Sequence, residues 1–89
     1  MINRSLATAL IDVCVFLGVS GDDIVDPDEA IRQLENIAAC LKSLTIDEQD
    51  EFLAILSQLA TVAPSSTDAQ VRKEFLESLG ENLGLTEPL

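Results

Sequence analysis

The chain has 89 residues, with sixteen acidic and five basic side chains, no histidine and a formal charge of −11. A charge of this sign and size repels nucleic-acid phosphates and anionic lipid, so neither nucleic acid nor membrane is expected as a partner. The lack of histidine and tyrosine removes the usual proton carriers of catalysis near neutral pH. Apolar residues make up 47% of the chain, yet only Phe16, Phe52 and Phe75 are aromatic. The core is therefore expected to be built from Leu, Ile, Val and Ala, which suits helices, and the length allows one domain over 1–89.

The first predicted helix covers residues 3–17 and is expected to stop at Gly18, which is free to take a left-handed conformation. Its apolar positions run from Leu6 to Leu17 and leave only a narrow polar stripe of Ser5, Thr8 and Asp12. A helix apolar over so much of its circumference has to be covered on several sides. It is either central in the fold and wrapped by the others, or covered by a second copy of the chain. Its apolar stretch is too short for a bilayer, where about 20 residues are needed, and Asp12 interrupts it. The expectation is a cytoplasmic protein with no membrane-spanning segment.

An acidic connector then leads into Asp26-Pro27-Asp28-Glu29. Asp26 can accept from the orphan amides of a helix start, Pro27 fits its first position, and Asp28 and Glu29 face the positive end of its dipole. This second helix is predicted over 27–43, with Ala30, Ile31, Leu34, Ile37, Ala38 and Leu41 on one face. Thr45-Ile46-Asp47-Glu48 has the pattern of a capping box and opens a third helix over 46–63. Its apolar side carries Phe52, Leu53, Ile55, Leu56, Leu59, Ala60 and Ala63. The short link between the second and third helices makes them an antiparallel pair.

Pro64 and the two following serines break the pattern, and Thr67 with Gln70 offers another capping box for a fourth helix over 68–83. This helix is expected to turn Val71, Phe75, Leu76, Leu79 and Leu83 inward and to end at Gly84. Gly80 weakens its last turn by about 1 kcal/mol relative to Ala, and the tail 86–89 is expected to fray. Arg72 falls on the apolar side, where it either lays its stem along the core edge or marks an interface. The predicted fold is all-α, an up-down bundle of four helices, with the option of dimerising through the first.

No catalytic, metal or cofactor motif stands out. Cys14 and Cys40 lie in apolar helical patterns outside any metal-ligand spacing and read as reduced thiols, although antiparallel neighbours would also allow a disulfide between them. The carboxylates of 22–29 do not follow the ligand register of a calcium loop. Neither a Gly-x-Ser-x-Gly elbow nor a phosphate-binding glycine loop is present, so no enzymatic activity and no cofactor are expected.

Binding to another protein remains. In an up-down bundle the connector and Asp68 share one end, while Asp47, Asp50, Glu51, Glu77 and Glu81 share the other, giving two acidic poles. Asp22, Asp23, Asp50 and Glu51 have the weakest structural roles and are the candidate partner-binding residues. A basic protein would be steered to them. In size, acidity and helical content the chain resembles bacterial immunity proteins, such as the antagonists of nuclease colicins. That resemblance implies a helical antagonist of a co-encoded toxin, but with no tyrosine the chain lacks the paired-tyrosine motif of that group, and no residue is carried over from it. The expected function is a non-catalytic antagonist or immunity-type protein binding a basic protein. The alternative is a self-associating structural or adaptor module.

Overall fold

A computed structural model describes residues 2–61 and 65–85, which contain four α-helices and no strand. These are α1 (Arg4–Val19), α2 (Pro27–Lys42), α3 (Ile46–Ala60) and α4 (Thr67–Asn82). The four-helix bundle expected from the sequence is the observed architecture, and each helix start has a local cause. Asn3 accepts from the Leu6 amide at 3.1 Å and opens α1. Asp26 accepts from Glu29 at 3.0 Å ahead of Pro27. Thr45 and Glu48 satisfy each other's backbone amides in a full capping box, at 3.1 and 3.0 Å.

Three of the expected boundaries are corrected. Gly18 does not stop α1, which continues to Val19 and is capped at Ser20 with an extended backbone. No positive φ is needed at Gly18, because its job is to let another helix approach: a Cβ there would overlap Cε2 and Cζ of Phe75. At α4 the cap is Ser66, whose hydroxyl accepts from Ala69 at 3.1 Å, and Thr67 is the first helical residue. Gln70 donates to Glu74 in place of closing a box. α3 ends at Ala60 with Thr61 as its cap, and Ala63 and the tail 86–89 lie outside the described residues.

Gly84 does end α4 as expected, with φ +74°. The Leu85 amide reaches back to the Gly80 carbonyl and the Gly84 amide to that of Glu81, both at 2.9 Å. This pair of bonds is the Schellman arrangement, which satisfies the last carbonyls of the helix.

α1 is the hub. It packs on α2, α3 and α4, while the other close helix pair is α3 with α4. Ala7, Ile11 and Cys14 form its inward face and meet Phe52, Ile55 and Leu56 of α3, Leu76 and Leu79 of α4, and Leu41 of α2 in one core cluster. Ile11, Cys14, Phe52 and Leu79 are its most completely enclosed side chains. α2 is the shallowest helix, burying fully only Ala30 and Leu41, and Ile31 is exposed against expectation. Val71 of α4 is exposed as well. Both lie at the edges of their apolar stripes, where periodicity places a residue on the correct side without showing how far the neighbouring helix reaches.

Wrapping by three helices still leaves one side of α1 bare. Leu6, Val13 and Phe16 are 72%, 49% and 52% exposed, although all are large and apolar. Of the two options raised by the sequence, the central position of α1 is the one observed, and among the described residues nothing covers its remaining face.

Candidate interaction surfaces

The connector between α1 and α2 holds Asp22 and Asp23 at the end of the bundle where α1 finishes and α2 begins. Both are exposed and have no hydrogen-bond or ion-pair partner among the described residues. Next to them Asp26, Asp28 and Glu29 are also exposed, but Asp26 caps α2, and Glu29 pairs with Arg32 at 3.1 Å. These carboxylates form an acidic rim on a helix start, and among the described residues no three of them converge as ligands for a metal ion.

Asp50 and Glu51 occupy the opposite end. The Ile2 amide donates to Glu51 Oε2 at 3.0 Å, which fixes the start of α1 beside the start of α3. The four candidate residues are therefore separated by roughly the length of α1, about 24 Å, and cannot form one compact site. Glu51, expected to lack a structural role, has one in this contact. Sequence reasoning missed it because the partner is a backbone amide 49 residues away.

Asp12 and Arg72 are a second long-range pair. Arg72 Nη2 lies 2.6 Å from Asp12 Oδ1, joining α4 to the solvent side of α1. Arg72 thus runs along the core edge and ends on a carboxylate in water, and Asp12 belongs to the polar stripe. Arg4 reaches the Gln58 side chain of α3 in a similar clip.

Among the described residues no polar or charged side chain is fully buried. A groove of about 370 Å³ between α3 and α4 has Lys73 and Glu77 on its rim, paired with each other at 2.7 Å. A second, about 260 Å³, runs between α2 and α4 and is lined by Leu34, Ala38, Phe75 and Leu79. The two cysteines are not bonded: Cys14 is buried and Cys40 exposed. Burial pushes the Cys14 thiol up to about 11, which keeps it protonated and unreactive near neutral pH.

The fold and surface thus define a small acidic helical bundle with an apolar face of α1 that none of the other described residues covers. No family model, curated protein or solved structure matches the chain. Among the described residues no helix is long and apolar enough to cross a membrane.

Proposed function

We propose that the protein is a non-catalytic, cytoplasmic binding domain of the antagonist or immunity type, whose carboxylates engage a basic surface on another protein. The observation that carries this reading is the connector end, where Asp22 and Asp23 stand exposed and unpartnered beside the acidic start of α2. Carboxylates in local use would be capping, pairing or coordinating. These two do none of those things.

Three of the five basic side chains are held in ion pairs with Asp12, Glu29 and Glu77, so the remaining negative charge is left to act outward. Such a surface raises the rate of encounter with a cationic partner and loses that advantage as salt rises. Glu51 is reassigned to structure, and the connector end becomes the first place to look. Affinity capture from the source cells, with wild type and with the double reversal Asp22→Lys/Asp23→Lys as baits, tests the reading. A basic protein retained by the first and lost from the second supports it, and equal retention by both refutes it.

A further inference from the structure

We propose that the trough between α2 and α4 is the docking site for a basic, amphipathic α-helix of the partner protein. This inference rests on the basic-partner reading and deepens it, because it adds a shaped apolar site to the attraction of charge.

α2 and α4 both lie beside α1 but are not a close pair with each other, so a gap runs between them. It holds two hollows, about 290 Å³ beside Val25, Pro27 and Ala30 and about 260 Å³ beside Ala38, Leu79 and Leu83. Ile31, Leu34 and Phe75 line both, which makes them one trough. The Phe75 ring edge lies against Gly18, so α1 sets its depth. Ile31 stands on its edge, 56% exposed.

Along α2 the two hollows are offset by about one helical turn, about 6 Å. That is the spacing of side chains at i and i+4 on a helix laid beside it, the way amphipathic helices enter apolar grooves. An extended segment has less to hold it, since the described residues offer no sheet edge for a strand to join.

Charge on the edge of the trough selects a basic occupant. Asp28, Glu35 and Lys42 are spaced by seven and so share one edge of α2. Glu35 lines the trough itself. Asp28 and Glu35 are exposed and make no hydrogen bond or ion pair among the described residues. Asp28 serves the first turn of α2, but Glu35 stands in the middle of the helix, where neither cap nor dipole uses it. The free Asp22 and Asp23 continue the acidic edge into the connector, and Lys42 closes the other end beside Gly84. The occupant is thereby oriented, with its cations toward the connector. A second copy of the chain, at −11, is repelled by the same edge.

A labelled synthetic helix of leucine and lysine, about 14 residues long with leucines at alternating steps of three and four, is the probe. It is titrated into the full chain by fluorescence anisotropy beside a scrambled peptide of the same composition. The ordered peptide should bind at least tenfold more tightly than the scramble. Ile31→Ser should weaken it about tenfold by removing an apolar contact, and Glu35→Lys severalfold, a loss that shrinks at about 500 mM salt. Circular dichroism checks that each variant folds. Should Ile31→Ser unfold, amide shifts of the wild type on titration decide, and they should concentrate in 27–38 and 75–83. No binding, shifts centred elsewhere, or loss on Val13→Ser of α1 in place of Ile31→Ser overturns the proposal. A scramble that binds equally well and is lost on Asp22→Lys/Asp23→Lys also overturns it, while leaving the connector reading in place.

Discussion

Gly18 and Phe75 fit together because one lacks the side chain that the other needs room for. A methyl at residue 18 would occupy the space of the Phe75 ring edge, so Gly18→Ala should cost about 1–3 kcal/mol through overpacking, despite the better helix propensity of Ala. Urea unfolding measures this, and a stabilised variant would show that the ring can move aside. The cysteines make a second prediction at this scale. Cys40 should react with a thiol reagent in the folded protein, and Cys14 only when the core opens. With its folded value raised from 9.0 to about 11, Cys14 gives up its proton more readily in the unfolded chain. Its contribution is fully present below pH 9 and is lost as pH climbs from 9 to about 11, amounting to roughly 2–3 kcal/mol. Cys14→Ala should flatten the stability profile in that window. A profile as steep as that of wild type would contradict the assignment.

The start of α3 offers a test at the level of the element. The Thr45 backbone amide donates to the Glu48 carboxylate and holds it below the usual 4.5, with the Thr45 hydroxyl adding to the effect. A lowered value means support that is present above pH 4.5 and lost as pH falls through the lowered value. The stability gap between wild type and Glu48→Gln should therefore close in acid, and a gap independent of pH would count against the capping box. Thr45→Ala should cost about 1 kcal/mol. These caps were legible in the sequence because donor and acceptor lie within four residues. Ser66 was missed in favour of Thr67 because two adjacent hydroxyls offer the same chemistry, and only the backbone chooses between them. Gly18 was misread for a related reason: glycine serves both as a helix stop and as a place of close approach, and the sequence does not show that Phe75 packs there. The contacts of Asp12 with Arg72 and of Ile2 with Glu51 span 60 and 49 residues, beyond the reach of any periodic pattern.

For the whole molecule, the excess apolar character of α1 was visible in the sequence, and the structure divides it between a face buried by three helices and a face left to solvent. The acidic charge was equally visible. Its division between two ends, Asp22 and Asp23 at one and Asp50 and Glu51 at the other, followed from the helix order, and the Ile2 contact with Glu51 agrees with it.

The central claim, that the protein acts by binding a basic partner through its unpartnered connector carboxylates, is tested most directly by the salt dependence of the captured complex. Affinity for wild type should fall severalfold or more from low to physiological ionic strength, and Asp22→Lys/Asp23→Lys should remove most of that dependence together with the affinity. A complex indifferent to salt and equally tight with the reversed connector would contradict the account.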